Sequence, residues 1–329
     1  MLTNIYEKFK KVYNFETSIM FFWKKQIVEY CKKRKGKIIM RAKIHKKKPV
    51  FLILLSIVFL IALSKIAGRT IKAYSDDYDQ VAINKNMEAI SEKVKQSDDD
   101  VLKLILKNNK DNPTAYKIID NVQSYPRELL ELASKKEEAL NFVAGYTDYR
   151  GYSKINDSVE KDYKKGEIPL FIQWDKRWGY EKYGSDFIAI NGCGPTSIAM
   201  VAVGLTGNTN INPKVVADYS NDNGYLVEGV GTNWDLMTQG ARNFGIAGRE
   251  ISLTEESILQ TLRKGEVIIA SMGPGAFTTA GHYIVLTGVD NNNKIIVNDP
   301  DSKLKSKKTW DINIFLKEAK NLWAFKPLQ

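Results

Sequence analysis

Outside the basic N-terminal region, the sequence contains one cysteine, Cys193, and one histidine, His282. Cys193 lies in the segment Asn191-Gly-Cys-Gly-Pro-Thr-Ser197, in which the glycines permit a tight turn and the proline favours a helix directly after the thiol. A helix N-terminus stabilises a thiolate through its dipole and its free backbone N–H groups. The pattern therefore predicts a nucleophilic cysteine, and an inert buried thiol is the alternative.

His282 is the predicted general base for this thiol. It stands at the first position of a predicted strand, 282–290, directly after the glycine-rich loop 273–281. An imidazole ring at the start of a strand can face a cleft and exchange protons with a substrate. A single histidine is more often structural, so the catalytic interpretation depends on its pairing with Cys193.

Asp299 is the predicted partner of this histidine. If the turn 290–293 is symmetric, cross-strand pairing places Asp299 opposite Ile284, on the face that carries His282. A carboxylate there would orient the imidazole and stabilise its charged form. A slip of one residue would turn Asp299 to the opposite face and make Asn298 the orienting residue. The sequence leaves both registers open.

Acyl transfer also requires hydrogen-bond donors for the oxyanion of the tetrahedral intermediate. The backbone N–H of Cys193 is one candidate by its position. Gln173, at the end of a predicted strand over residues 168–173, is the candidate for the other. A surface glutamine without a role is the alternative for this residue.

An α+β region that begins near residue 166 is predicted to position these side chains. Helices are predicted at 195–204, 213–219 and 233–244, and from the capping residue Thr254 to Gly265. Strands are predicted at 168–173, 267–271, 282–290, 294–298 and 322–325. Trp174 and Trp234 are predicted to form cleft walls, together with the loops 224–232 and 273–281.

The net charge of +11 is concentrated at the N-terminus. Residues 1–48 contain 15 Lys and Arg against three acidic residues, which leaves 34 basic against 35 acidic residues in the remainder. A near-neutral remainder argues against a nucleic-acid binder with a basic face. Two cysteines exclude a disulfide framework, and one histidine beyond this segment is too few for a usual zinc site. No metal or cofactor is predicted.

Residues 49–68 are predicted to form a single transmembrane helix. The first sixteen are uncharged, and Lys65 can snorkel, so the segment approaches the length that a bilayer core needs. A lysine triplet before it and an acidic cluster after it predict the N-terminus inside and the bulk outside. A buried core helix is the alternative, cleavage after Ser64 would give a secreted protein, and Met40 is a second candidate start.

Residues 69–165 are predicted to form a helical stalk that docks on the following domain. Asp98 to Asp100 supply N-caps, and Pro113 and Pro126 mark first helical turns. Apolar residues between them are sufficient for a small helical layer. No motif that carries chemistry occurs in this stretch.

Four motifs in order resemble the bacteriocin-leader (double-glycine) peptidase-like group of papain-superfamily cysteine peptidases, a group similar to cysteine-peptidase family thirty-nine. They are Gln173-Trp-Asp-x-x-Trp178, Gly192-Cys-Gly-Pro-Thr-Ser197, Gly281-His-Tyr and Asn298-Asp-Pro300. The resemblance covers residues 166–329 and implies a papain-like fold, with the nucleophile helix packed on an antiparallel sheet. It implies Cys193 as nucleophile, His282 as base, Asp299 as orienting residue and Gln173 in the oxyanion hole.

The predicted domains are a basic cytosolic segment (1–48), a transmembrane anchor (49–68), a helical stalk (69–165) and a papain-like peptidase domain (166–329). The predicted function is a membrane-anchored, extracytoplasmic cysteine peptidase that acts on a protein, peptide or cell-wall peptide. A cell-wall stem-peptide hydrolase, or a transpeptidase with the same triad, is the first alternative. A non-catalytic surface binding module is the second. The sequence contains no G-x-x-x-x-G-K-[S/T] motif of an ATPase, and no nucleic-acid partner is predicted.

Overall fold

The chain divides into two compact units, Met1–Gln80 and Val81–Gln329. The computed structural model describes Lys25, Glu29 and residues 64–66, 68–70, 72–73, 81–149 and 158–328. Across these residues, no helix combines the length and the apolar character that a membrane span requires. The predicted cytosolic segment 1–48 and nearly all of the predicted anchor 49–68 lie outside the described residues, so both stay predictions.

Residues 81–149 form a layer of short helices. Residues 81–95 are helical, and the following α-helices are α1 (Asp100–Asn108), α2 (Pro113–Asp120), α3 (Arg127–Lys135) and α4 (Leu140–Ala144), with 3₁₀ turns at Val122–Ser124, Glu137–Ala139 and Gly145–Asp148. The predicted caps are confirmed at two positions. Asp99 accepts backbone N–H groups at the start of α1, and Pro113 is the first residue of α2.

This helical layer shares its hydrophobic core with the residues that follow it. Ile105, Ile118 and Leu129 are fully buried in the layer. The same cluster includes side chains from the start of the next region, namely Ile172, Trp174, Tyr180, Phe187 and Ala189. The layer is therefore packed directly against the α+β region, and the two form parts of one compact unit.

The α+β region, residues 158–328, has ten strands: β1 (Lys182–Tyr183), β2 (Asp186–Phe187), β3 (Leu226–Val227), β4 (Gly231–Thr232), β5 (Ile246–Glu250), β6 (Val267–Met272), β7 (His282–Val289), β8 (Ile295–Asn298), β9 (Thr309–Trp310) and β10 (Ala319–Pro327). Six of them form an antiparallel sheet in the order β5-β10-β6-β7-β8-β9, and β1-β2 and β3-β4 form two small sheets. Its α-helices are α5 (Ile188–Asn191), α6 (Cys193–Thr206), α7 (Pro213–Asp222), α8 (Asp235–Thr238), α9 (Glu255–Arg263), α10 (Lys303–Ser306) and α11 (Ile312–Glu318), with 3₁₀ turns at Glu160–Asp162 and Gly240–Phe244.

Helices cover both faces of the sheet. Helix α6 packs on one face, where it meets Tyr283 and Val285 of β7. Helices α9 and α11 cover the other face, where Ile284 and Leu286 are buried. This alternation along β7 is the period-two pattern of a strand that is buried on both sides. The predicted arrangement of a nucleophile helix on an antiparallel sheet is confirmed.

The predicted strand at 168–173 is wrong. The segment has no regular secondary structure, and its backbone groups bond outside any strand ladder. The carbonyl oxygens of Ile168 and Pro169 accept from Asn298 Nδ2, and the N–H of Gln173 donates to Pro300 O at 2.7 Å. The predicted helix at 233–244 is also divided into α8 and a 3₁₀ turn.

The β7–β8 hairpin reaches the expected register by an unexpected route. Its loop is not symmetric: Asn293 adopts a left-handed φ of 60°, and Val289 pairs with Ile295, one residue away from the predicted pairing. An irregularity at Thr287 then shifts the register by one residue, so that Val285 pairs with Asn298 as predicted. Turn and bulge therefore compensate for each other.

Because the layer shares a core with residues 172–189 of the α+β region, Ile118→Ala is expected to destabilise the whole of residues 81–328. Ile118 is fully buried, and a cavity of this kind typically costs about 2–5 kcal/mol of unfolding free energy. The measurement is urea unfolding monitored by both far-UV and near-UV signals, which should shift together. Leu104→Ala, at an exposed position of α1, is the control and should change the free energy by about 0.5 kcal/mol or less. Separate melting of the layer would contradict the shared core.

Candidate active site

Cys193 is the first residue of α6, and its thiol is free and half-buried. The helix has 14 residues, and its residues from Gly194 to Val203 are all buried between the sheet and neighbouring helices. The first N–H groups of a helix have no partner within the helix, and its dipole favours negative charge at that end. The fold therefore fixes the thiol at a position that stabilises a thiolate.

The two glycines beside Cys193 are required by close packing. Gly192 forms the expected tight turn, as the single residue between α5 and α6, and neither glycine needs a positive φ. A Cβ on Gly192 would lie 2.5 Å from the carbonyl oxygen of Ile188, and a Cβ on Gly194 would lie 2.4 Å from Thr232 Oγ1. Each glycine thus lets a neighbouring chain approach the nucleophile turn.

His282 and Asp299 form a buried hydrogen-bonded pair. His282 Nε2 lies 2.7 Å from Asp299 Oδ1, and both side chains are removed from solvent. The same Oδ1 accepts the backbone N–H of Asp301 at 2.8 Å, and the backbone N–H of Asp299 donates to Ser306 Oγ at 2.9 Å. The carboxylate is therefore held from both its side-chain and its backbone ends.

The electrostatics of this pair favour a charged imidazole. Burial lowers the pKa of His282, but hydrogen bonds and charge interactions with Asp299 and Cys193 outweigh it and raise the pKa to about 10. Burial raises the pKa of Asp299, yet its bond to His282 holds that pKa below the usual range. Since Nε2 bonds Asp299, Nδ1 is the nitrogen left for Cys193. The geometry suits an imidazolium placed between a carboxylate and a thiol.

Gln173 is brought to the nucleophile turn, but its amide is engaged there. Its Nε2 donates to the carbonyl oxygens of Ala189 and Ile190, at 2.9 and 3.2 Å. Its Oε1 is buried without a hydrogen-bond partner. In this state the side chain ties α5 to the segment at 168–173, and donation to an oxyanion would require Nε2 to turn away from one of these carbonyls.

The two predicted wall tryptophans differ. Trp174 is only 5 % exposed: it packs in the core of the helical layer and donates from Nε1 to Asp301 O at 3.1 Å. It therefore holds the segment after Asp299 through this bond, and the prediction that it lines an open cleft wall is wrong. Trp234 is 44 % exposed and packs edge-on against Trp323, so it remains available to a ligand.

The glycine-rich loop 273–281 is anchored at two points. Glu318 accepts two of its backbone N–H groups, at 2.7 and 2.8 Å. Phe277 is buried, and its carbonyl oxygen accepts from Lys305 Nζ at 2.7 Å. The loop that delivers His282 is thus held by α11 on one side and by α10, which follows Asp299, on the other.

Sequence reasoning missed the contacts around Thr232. Its side chain covers Gly194, its carbonyl oxygen accepts from Tyr283 Oη at 2.9 Å, and its hydroxyl lies 3.0 Å from Tyr183 Oη. Burial, with a smaller contribution from the charge of Cys193, raises the pKa of Tyr283, so this phenol stays neutral. Only the position of Tyr283 directly after His282 could have signalled a role. Nothing in the local sequence marks Thr232.

No group of three His, Cys, Asp or Glu side chains suited to a metal ion occurs among the described residues. The absence of a cofactor stays a prediction. Chemistry at this site can be supplied by the thiol, the imidazole and the carboxylate.

The packing around the nucleophile predicts that Gly194→Ala destabilises the domain and Gly281→Ala does not. The new methyl group at 194 would clash with Thr232, and forced overpacking costs about 1–3 kcal/mol of unfolding free energy. Gly281, which precedes His282, has nothing within 4 Å of a built Cβ and no positive φ, so it is a matched control. Urea unfolding of both variants measures the difference. Equal stabilities would contradict the close approach of Thr232.

The family model described as "Peptidase_C39 like family" matches residues 165–325. The peptidase domain of Streptococcus ComA, a bi-functional ABC transporter involved in a quorum sensing pathway, is 22% identical, with a TM-score of 0.36, over 50% of this chain and 100% of that one. A double glycine motif protease from an AMS/PCAT transporter, solved in complex with the leader peptide, is 20% identical, with a TM-score of 0.34, over 50% and 94%. No curated protein matches the chain. Residues 165–325 therefore belong to the Peptidase C39-like family, and the chain is a cysteine peptidase.

Proposed function

We propose that the chain hydrolyses peptide bonds through a thioester formed on Cys193, with His282 as acid and base and Asp299 as the orienting carboxylate. The observation that carries this proposal is the buried 2.7 Å bond between His282 and Asp299, beside a thiol at the start of α6 whose interaction with the imidazole helps to raise the pKa of His282. Nucleophile, base and orienting group are thereby arranged in one chain of contacts.

In the first half-reaction, the Cys193 thiolate attacks the carbonyl carbon of the scissile peptide bond. The carbonyl π electrons move to oxygen, which becomes the oxyanion of a tetrahedral intermediate. When the intermediate collapses, the C–N bond breaks and His282 gives its proton to the leaving amine. The products of this step are a free amine and a thioester on Cys193.

The backbone N–H of Cys193 is one proposed donor to the oxyanion, because the first N–H groups of a helix have no intrahelical partner. Gln173 is the proposed second donor. Its Nε2 now bonds two carbonyl oxygens, and exchange of one of these for the oxyanion would align it only when substrate is bound.

In the second half-reaction, His282 is neutral and removes a proton from water. The resulting nucleophile attacks the thioester carbonyl, the C–S bond breaks, and a carboxylic acid and the Cys193 thiolate are released, while His282 regains its charge. Asp299 stabilises that charge when it forms. An amine acceptor in place of water would give a new amide, which is the transpeptidase outcome, and product analysis with an added amine distinguishes it.

The substrate class that we propose is an exposed peptide segment of a protein, secreted peptide or cell wall. The relatives named above are domains of transporters, and one of them is described as a double glycine motif protease. Peptides that end in Gly-Gly before the scissile bond therefore belong in a substrate panel together with cell-wall stem peptides. Trp234 is an exposed aromatic side chain two residues after Thr232, which covers Gly194, and we propose that it contacts such a segment.

We further propose that residues 49–68 anchor the chain once in the membrane, with the N-terminus inside and the peptidase domain outside. The support is the uncharged run that begins at residue 49, the lysines before it and the acidic residues after it. Cleavage after Ser64 would release the same domain as a secreted enzyme.

Cys193→Ala and His282→Ala are each expected to reduce peptide hydrolysis by at least about 1000-fold, since removal of one triad member disables the whole unit.

In the wild-type chain the raised pKa of His282 predicts that kcat/KM stays high above pH 6.5 and falls as the pH rises through about 10, where the imidazolium is lost. A peptide assay from pH 5 to 11, with alkylation of Cys193 by iodoacetamide at neutral pH, measures both. Alkylation no faster than that of a small thiol, together with unchanged hydrolysis in Cys193→Ala, would contradict the mechanism.

The topology is tested by the two cysteines of the chain, Cys31 and Cys193. In intact cells or spheroplasts, a membrane-impermeant maleimide is expected to label Cys193, whereas Cys31 should react only after lysis. The Cys193→Ala variant is the control and should remain unlabelled until the cells are lysed. Labelling of Cys31 in intact cells, or protection of Cys193 until lysis, would overturn the proposed orientation.

A further inference from the structure

The start of the 3₁₀ turn Glu137–Ala139, in the helical layer, contacts the segment directly after Asp299. The contact joins residues about 165 positions apart in the chain and lies outside the catalytic triad. It is made by two side chains of opposite charge, Lys136, which is the N-cap of the turn, and Glu138, which lies within it. Each bonds a different part of the segment 301–304.

Lys136 binds Asp301 at two points. Its Nζ lies 2.6 Å from the backbone carbonyl oxygen of Asp301 and 2.5 Å from Oδ2. The two side chains are 17 % and 28 % exposed, so the ion pair is shielded from much of the screening that weakens surface pairs. Trp174 Nε1 donates to the same carbonyl oxygen.

Glu138 binds the next turn with both carboxylate oxygens. Oε1 accepts from Ser302 Oγ at 2.6 Å, and Oε2 accepts the backbone N–H of Leu304 at 3.0 Å. Ser302 is itself the N-cap of α10 and accepts the N–H of Lys305. The carboxylate therefore fixes the start of this short helix.

The gripped segment is the one that holds Asp299. The N–H of Asp301 donates to Asp299 Oδ1, and Ser306, at the end of α10, accepts the N–H of Asp299. Lys305 of the same helix bonds the carbonyl oxygen of Phe277, in the loop before His282. Any shift of residues 301–306 would therefore displace the Asp299 carboxylate and the loop that precedes His282.

We propose that Lys136 and Glu138 are positioning residues for the peptidase reaction: they hold the segment 301–306 so that Asp299 keeps its bond to His282. The helical layer is then part of the active-site scaffold. This inference rests on the proposed function of Cys193, His282 and Asp299. Because a displacement of about 1 Å at a catalytic group can cost about 100-fold in rate, loss of either contact is expected to lower kcat.

The test compares Lys136→Met and Glu138→Gln with the neighbouring variants Lys135→Met and Glu137→Gln in the full-length chain. Lys135 and Glu137 are exposed, and among the described residues neither forms a hydrogen bond or ion pair with the segment 301–306. The first pair is expected to lower kcat by roughly 10- to 100-fold with KM changed by less than about twofold, whereas the control pair should retain wild-type kcat. Lys136→Arg, which keeps the charge and the donors, should recover most of the rate.

A pH profile distinguishes positioning from simple loss of folded protein. When Asp299 is held less firmly, it stabilises the imidazolium less, so the alkaline limb of kcat/KM should move to lower pH in Lys136→Met and Glu138→Gln. Wild-type kcat and an unmoved limb in these variants would overturn the inference. So would a loss of rate that only follows the unfolded fraction, measured by circular dichroism at the assay temperature.

The alkylation rate of Cys193 separates this inference from the proposed function. Slow alkylation in the wild-type chain, with no Cys193-dependent hydrolysis, contradicts the proposed function itself. Fast wild-type alkylation with the same rate and pH dependence in Lys136→Met and Glu138→Gln contradicts only the positioning role. Slower alkylation in both variants, with the controls unchanged, supports it.

Discussion

The arrangement of the site depends on the buried hydrogen bond between His282 and Asp299. Removing a carboxylate and an imidazole from water is costly, and the opposite charge of each partner offsets part of that cost. Here Asp299 Oδ1 also accepts a backbone N–H, whereas Oδ2 is buried without a hydrogen-bond partner, and the interaction with Cys193 also favours the charged imidazole. The pair therefore stabilises a positive charge at the place where a thiolate needs one.

The rest of the fold brings this pair to the thiol and holds it there. Helix α6 presents Cys193 at its N-terminus, and close packing on Gly192 and Gly194 fixes that end. Strand β7 and its anchored loop deliver His282, and α10 and the helical layer hold the segment after Asp299. Three separate parts of the chain thus converge on the chemistry, and each is constrained by contacts outside the triad.

Local pattern was sufficient to predict what lies within one motif. The helix after Cys193, the strand that begins at His282 and the cap at Thr254 all follow from residue types at short spacing, and the structure has them. The pairing of Asp299 with His282 was predicted from a symmetric turn that does not exist; the bulge at Thr287 restores the register. That agreement reflects compensation between two irregularities, which strand periodicity alone does not encode.

The failures concern contacts between distant segments. The apolar run at 168–172 resembles a strand, but it contains Pro169, and the carbonyl oxygens of Ile168 and Pro169 accept from the side chain of Asn298 instead of from a neighbouring strand. Trp174 was expected on a cleft wall, because the local sequence around it gives no sign of the helical layer that buries it. The local sequence does not distinguish Lys136 and Glu138 from ordinary surface charges, because their partners lie about 165 residues away in the chain.

The most direct measurement is the titration of the His282 ring by NMR of imidazole-labelled protein, with the signal assigned by its loss in His282→Gln. The account predicts that the ring stays charged well above pH 6.5 and loses its proton near pH 10 in the wild-type chain. In Asp299→Asn, the same signal should titrate at a clearly lower pH. Titration of His282 near pH 6.5 in both proteins would contradict the central role of the buried pair.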